Sequence, residues 1–254
     1  MSKTMDAINV FIGYDHRERI AYDVCRFSMT RYSSRSLHVN QLSLRAVGPL
    51  YWRTFHMDGS DMIDDTDGRP FSTEFAFTRF LVPFLSKGMA IFCDCDFLWR
   101  ADIAALAALY DPKYAVMVVK HKHVPPSGRK MDDRSQEPYP RKNWSSLVLW
   151  NCEHPAHKPL SLQDVNERPG QWLHAFSWLP DDAIGELPNT WNWLVDYTKP
   201  QALHFTSGGP WLPGSPKTTY DHDWMEEEEK MLQHYQGERQ VVSQLAMTEH
   251  SHVK

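Results

Sequence analysis

Short apolar runs closed by polar breaks recur along this chain, and the stretches between several of them carry helical spacing. Ile8-Asn-Val-Phe-Ile-Gly13 reads as a buried parallel strand stopped by Gly13-Tyr14-Asp15. Residues 16–31 place Ile20, Val24 and Phe27 on one helical face. A second strand is expected over 37–44, and residues 45–71 read as polar and irregular. Ser72 is a plausible N-cap for a helix running to Lys87, with Gly88 as its stop. Phe77, Phe80, Leu81, Phe84 and Leu85 would be its buried face, and Pro83 would kink it or end it early.

Further strands are expected at Met89–Cys93, Tyr114–Val119, Ser146–Trp150 and Ala202–Thr206. Ile103–Leu109 reads as a short helix, and Glu153–Leu173 as a helix interrupted by prolines. Trp224, Met231, Leu232 and Tyr235 predict a terminal helix whose exposed face is Glu226–Glu229, and the polar stretch from Gln244 should fray. Strands alternating with helices imply an open α/β sheet with right-handed crossovers. Ligands bind such sheets beyond the C-terminal strand ends, where Asp15, Asp94 and Asp96 fall.

The 254 residues, 42% of them apolar, suit one large domain with a real core. A net charge of -5 lacks the positive field that nucleic-acid binding needs, so no nucleic-acid partner is expected. No apolar run of about 20 residues is present, which argues against a transmembrane segment. Met1–Ala7 lacks an apolar signal core, and a cytoplasmic location is expected. Cys25, Cys93, Cys95 and Cys152 each sit in apolar surroundings and read as reduced, packed thiols.

The chemistry centres on Phe92-Cys93-Asp94-Cys95-Asp96, an apolar strand delivering two carboxylates one residue apart. Both can reach one hard divalent cation, and such a cation with open positions holds a substrate diphosphate. A bare D-x-D is also the sequence of a solvated turn; the buried strand before it favours the metal reading. His204-Phe-Thr-Ser-Gly-Gly-Pro-Trp211 is the second feature. His204 can add an imidazole ligand, and Gly208 and Gly209 let backbone N–H groups approach phosphate oxygens. Taken alone, the same segment is a hydrogen-bonded core histidine before a turn. The loop Lys120–Asn143, with Lys130, Gln136, Tyr139, Arg141 and Lys142, reads as an acceptor site or a lid. Trp211 is the tryptophan best placed to touch a sugar face.

The ordered set of motifs resembles the family 8 glycosyltransferases and their relatives. It comprises Phe11-Ile-Gly-Tyr-Asp15, Phe75-Ala-Phe-Thr-Arg79-Phe-Leu, Ala90-Ile-Phe-Cys-Asp-Cys-Asp96, Asn143-Trp-Ser-Ser-Leu-Val-Leu-Trp-Asn151, Leu187-Pro-Asn-Thr-Trp-Asn192 and the His204 segment. The resemblance implies a GT-A-type, Rossmann-like α/β fold, with a mixed, mostly parallel sheet flanked by helices. It implies one catalytic domain over 1–243, split near residue 115 into donor and acceptor halves, and a polar tail at 244–254. It also implies Mn2+ (or Mg2+), a UDP-sugar donor, and a glycan, glycolipid or small hydroxylated acceptor, with retention of configuration.

By the same resemblance Asp94, Asp96 and His204 would be metal ligands, with Cys95 between the two carboxylates. Ile12, Gly13, Tyr14 and Asp15 would hold the uridine, Arg79 would contact the donor sugar or diphosphate, and Ser145 and Ser146 would line the sugar pocket. Asp181 and Asp182 would be the polar pair beneath the reacting sugar. One departure is Gly209 before Pro210, where the family usually has a lysine; Lys217 or a basic residue of the 120–142 loop would have to supply that charge. Two rival readings are a nucleotidyltransferase, which would need a Gly-rich basic phosphate loop, and a sugar-binding relative without turnover.

Overall fold

The computed structural model describes residues 7–121, 128–129, 135–136, 141, 144–194 and 200–251. Strands β1 (Ile8–Gly13) and β2 (Leu37–Leu42) are joined by α1 (Arg19–Tyr32). After α2 (Leu44–Val47) come β3 (Phe55–Asp58), β4 (Asp61–Asp64) and β5 (Pro70–Phe71), then α3 (Val82–Leu85), β6 (Met89–Cys93) and β7 (Phe97–Trp99). Helix α4 (Ile103–Ala107) leads to β8 (Val116–Val118), the two-residue strands β9 (Gly128–Arg129) and β10 (Ser135–Gln136), and β11 (Leu147–Asn151). The chain continues through α5 (Leu162–Glu167), α6 (Gly170–His174), β12 (Ile184–Glu186), β13 (Trp193–Leu194), β14 (Ala202–His204) and α7 (Asp221–Ser251).

The central sheet has the order β12-β8-β11-β6-β1-β2. Only β11 runs against its neighbours; β1 is parallel to β2 and β6, and β8 to β12. This is the mixed, mostly parallel α/β sheet that the sequence leads one to expect. β6 and β11 are buried on both faces, which is why each reads as a continuous apolar run rather than an alternating one. Ile12 lies beside Cys93, and Cys93 opposite Leu147. The segments after β1 and β6, and the one before β11, therefore emerge at the same sheet edge.

A smaller sheet, β13-β14-β7, lies over a second core of Val24, Leu98, Trp193, Leu203, Phe205, Trp224 and Met231. The Arg31 guanidinium donates to both oxygens of the buried Glu227 at 2.6 Å, tying α1 to α7. Trp224 and Met231 of α7 are buried, whereas Leu232 and Tyr235 are exposed. The helix continues through Gln244 to Ser251, where fraying was expected.

Two further segments differ from the sequence reading. Residues 45–71, expected to be irregular, contain the antiparallel sheet β3-β4-β5. A buried Arg53–Asp64 ion pair anchors it, and Arg53 Nη1 also donates to the carbonyls of Val165 and Arg168. The helix expected over 72–87 is compressed into a 3-10 turn, Thr78–Leu81, followed by α3. Pro83 stands in the first turn of α3, where its missing N–H costs no hydrogen bond. Phe77, Phe80 and Leu81 are buried as expected, but Phe84 and Leu85 are exposed.

Candidate functional site

Asp94, Asp96 and His204 converge. One ligand atom from each lies within 4.8 Å of the other two. Nε2 of His204 is 3.2 Å from Oδ1 of Asp96 and 3.9 Å from Oδ2 of Asp94. β6 ends at Cys93, so both aspartates sit in the connection to β7 rather than on a strand. The Asp94 N–H donates to the Ser146 carbonyl at 2.9 Å, which extends the β6–β11 ladder by one step. His204 reaches the same place from β14, which pairs antiparallel with β7 and sets His204 opposite Phe97. The two rings stack at 4.5 Å, which fixes the imidazole plane. The carboxylates are mostly shielded and His204 is buried. Two carboxylates and one imidazole nitrogen are a donor set that fits Mn2+ or Mg2+.

A polar frame surrounds the three. Arg79, itself buried, places Nη1 2.8 Å from Oδ1 of Asp94 and donates to the Ser145 carbonyl at 3.0 Å. Its guanidinium lies 5.0 Å from the Phe92 ring centroid and 5.3 Å from that of Phe75. Behind His204, Nδ1 is 2.9 Å from Oδ1 of Asn192, whose Nδ2 donates to the Ser146 hydroxyl at 2.8 Å. The Ser145 hydroxyl is 2.8 Å from Nδ1 of His174 at the end of α6. Burial, then the positive charges of Arg79 and Arg53, hold His174 well below its ordinary range, so it is neutral at pH 7.

The other expected residues are placed as follows. Ile12 and Gly13 end β1, and a side chain at Gly13 would sit 2.4 Å from the Phe75 ring. Tyr14 meets Tyr22 edge-on at 5.3 Å. Asp15 is fully buried and caps the turn before α1. It accepts from the backbone N–H and side chain of Arg17 and from the Glu74 N–H. Burial alone would raise its pKa, yet the hydrogen bonds and charge of Arg17 hold it below the usual carboxylate value. Cys95 is buried, and that burial, with Glu18, Asp96 and Asp94 nearby, pushes its thiol well up. All four cysteines are buried and free. Ser145 and Ser146 are buried under the cluster. Gly208 adopts φ +87, and Gly209 packs on the Trp211 ring. Trp211 itself meets Phe205 edge-on and lies tilted against Trp224, which packs it against the second core.

Asp181 and Asp182 are not brought to the cluster. They are exposed in the turn before β12, and Asp181 pairs with Arg141. The register sets Ile184 beside Val116, which places that turn at the sheet edge opposite Asp94. Lys217 is exposed, and Lys120 donates to the Ile184 carbonyl at 2.8 Å. Lys130, Tyr139 and Lys142 lie outside the described residues, as does the side chain of Gln136. Asn192 and His174 were not singled out as site residues from sequence. Asn192 ends the Leu187-Pro-Asn-Thr-Trp-Asn192 motif, which was the available signal; His174 carries no comparable signal.

No protein-family model matches the chain. It is 44% identical over 235 residues to Protein CDI of Arabidopsis thaliana, covering 87% of this chain and 86% of that protein. Solved structures of similar fold are GT-A-type glycosyltransferases. GlyE of Streptococcus pneumoniae aligns with a TM-score of 0.59 at 14% identity, over 92% of this chain and 64% of that one. The galactosyltransferase LgtC, solved with donor and acceptor sugar analogs, aligns at 0.57 and 11%, over 88% of this chain and 96% of that one. The bifunctional glycosyltransferase WbbM aligns at 0.57 and 13%, and this chain spans only 52% of its length.

Proposed function

We propose that this chain, which belongs to the family of Protein CDI of Arabidopsis thaliana, is a metal-dependent glycosyltransferase. In this reading it moves a hexose from a UDP-sugar to a hydroxyl of a glycan, glycolipid or small molecule, with retention of configuration, in the cytoplasm. The observation that carries the reading is the convergence of Asp94, Asp96 and His204 at the C-terminal edge of a GT-A-type sheet. These three would hold Mn2+ or Mg2+. Bound there, the cation would offset the charge of the leaving diphosphate.

The chain's own groups divide the remaining work. Arg79 fixes the Asp94 carboxylate and would contact the donor sugar or diphosphate. The β1 end, Ile12 to Asp15, would receive the uridine through its backbone and Tyr14, since Asp15 is engaged by Arg17. The Gly208-Gly209 turn would face the phosphates. Asp181 and Asp182 stand apart, so the acceptor proton would pass to the leaving phosphate oxygen rather than to a carboxylate base.

Thermal-shift measurements with UDP-glucose and UDP-galactose, with and without Mn2+, test the binding half of the reading. Stabilisation that requires both ligands is expected, followed by UDP release on adding an acceptor. Absence of any Mn2+-dependent shift with nucleotide sugars would sink it. One observation favours a second reading, a nucleotide-sugar-binding relative without turnover: Gly209 stands where the family 8 glycosyltransferases that the sequence resembles usually have a lysine. Tight UDP binding with no UDP release from any donor would favour that one.

A further inference from the structure

Two residues outside the ligand set govern how His204 presents itself. Asn192 is fully buried, and its amide lies between His204 Nδ1 at 2.9 Å and the Ser146 hydroxyl at 2.8 Å. The opposite ring nitrogen, Nε2, faces Asp96 at 3.2 Å and Asp94 at 3.9 Å. An imidazole nitrogen binds a cation only through a lone pair, so in a metal-binding His204 the proton must sit on Nδ1. The Asn192 group beside it must then be the amide oxygen. That leaves the amide nitrogen to donate to Ser146 Oγ, so this hydrogen-bond chain can run in only one sense. Ser146 also holds the second arm of the cluster, because its carbonyl accepts the Asp94 N–H at 2.9 Å. One buried serine thus sets Asp94 through its backbone and His204 through Asn192. The Phe97 ring, stacked at 4.5 Å, removes the remaining rotation.

We infer that Asn192 and Ser146 are positioning residues that lock His204 as the Nδ1–H tautomer and aim its Nε2 lone pair at a divalent cation shared with Asp94 and Asp96. The inference rests on the metal site proposed above. It adds that the site is pre-set before any cation arrives, as outer-shell partners of metal-binding histidines generally do.

The test titrates Mn2+ by calorimetry into the native chain and into Asn192→Leu, Asn192→Asp and Ser146→Ala. Long-range nitrogen–proton NMR spectra of the metal-free, histidine-labelled chains run beside it, with His204 assigned by the signal lost in His204→Gln. The native chain should show His204 protonated on Nδ1. Asn192→Leu should weaken Mn2+ binding about ten- to a hundredfold and lose the Nδ1–H preference, while Asn192→Asp, which still accepts that proton, should stay within about threefold of native. Ser146→Ala should weaken binding by less and serves if Asn192→Leu does not fold. Unchanged Mn2+ affinity with a retained Nδ1–H signal in Asn192→Leu or Ser146→Ala overturns the inference, as does an Nε2–H tautomer in the native chain. If the native chain binds no Mn2+, or Asp96→Ala binds it equally well, the metal reading itself fails; the tautomer spectra then still judge the relay.

Discussion

Among the described residues the structure holds two groups of three potential ligands, and they behave differently. Asp94, Asp96 and His204 form one; Asp15, His16 and Glu74 form the other, and in each the ligand atoms lie within 4.8 Å of one another. Both stand at C-terminal strand ends, after β6 and after β1. In the second group Asp15 is consumed by structure. Its Oδ1 accepts from N and Nε of Arg17, and its Oδ2 from Nη2 of Arg17 and the Glu74 N–H. His16 is exposed and pairs with Glu74 at the surface. In the first group His204 is buried, stacked and anchored from behind, and its Nε2 faces both carboxylates. Proximity of carboxylates is therefore not the criterion. What separates a ligand set from a helix cap is how fully a neighbouring guanidinium takes the carboxylate: Arg79 meets Asp94 at Oδ1, whereas Arg17 binds both oxygens of Asp15.

The largest expected effect breaks the first group. Asp96→Ala should lower Mn2+ affinity by at least about a hundredfold, since loss of an outer-shell partner alone costs ten- to a hundredfold. The melting temperature of the metal-free chain should hardly move, because Asp96 stands in a connection at the site and is not a member of the apolar core. Calorimetric Mn2+ titration checks the first statement and a thermal melt the second. Native-like Mn2+ affinity in Asp96→Ala would move the metal away from this cluster.

Next comes a contrast between buried histidines. His157 packs between Trp150 and Trp178, with Nε2 3.2 Å from the Ala115 carbonyl. Burial, partly opposed by that carbonyl, pushes its pKa down to about 4. The unfolded chain takes up this proton near 6.5, and the folded chain refuses it until about 4. Stability from this residue is thus complete above pH 6.5 and is lost as pH falls, by about 3 kcal/mol at the low end. Urea midpoints from pH 7.5 down to 4.5 should fall accordingly, and His157→Gln should flatten the slope. An unchanged slope in His157→Gln would assign the acid sensitivity to other groups, such as His174, which shifts in the same direction.

Asp15→Ala probes the second group. It removes a helix cap and leaves the Arg17 guanidinium, about a quarter exposed, without its carboxylate. A loss of about 2 kcal/mol is expected, the cap supplying about 1 and the mostly shielded pair the rest. Mn2+ affinity should stay native, which is the reverse of the Asp96→Ala pattern. A urea denaturation series with a parallel Mn2+ titration reads both. A fall in Mn2+ affinity without a fall in stability would make Asp15 a ligand and erase the distinction drawn above.

How much of this was legible in the sequence follows from burial. β1, β6 and β11 are buried on both faces, so unbroken apolar runs betray them, and Asp94 and Asp96 follow directly from the end of one. The β3-β4-β5 sheet was missed because β3 is largely exposed, β5 has two residues, and β4 alternates in burial but puts Asp64 on its buried side, so its hydropathy carries no period-two signal. Thr78–Leu85 has helical spacing over a stretch too short, and too interrupted at Pro83, to form the long helix that spacing suggests. The place of Asp181 and Asp182 depends on register: β11 reverses direction and β12 joins the sheet beyond β8, and no local pattern encodes that. Asn192 was visible as part of a motif, but its role depends on β13 and β14 being neighbours, a long-range fact.

The smallest expected effect falls on His16. Its ring is mostly exposed and lies 2.8 Å from Oε1 of Glu74 and 3.8 Å from Oδ1 of Asp15. Exposed pairs of this kind contribute little, because water screens the charges and two side chains must be held still. His16→Ala should therefore leave the urea midpoint and the Mn2+ titration of the native chain unchanged. If the second group did bind a cation, His16 would be its only nitrogen ligand, and its removal would weaken any second Mn2+ site seen in the titration. A single-site Mn2+ isotherm, the same in the native chain and in His16→Ala, is the expected outcome. Two sites in the native chain, with the weaker one lost in His16→Ala, would show that the Arg17-bound carboxylate still has an oxygen to give and that the two groups differ in degree rather than in kind.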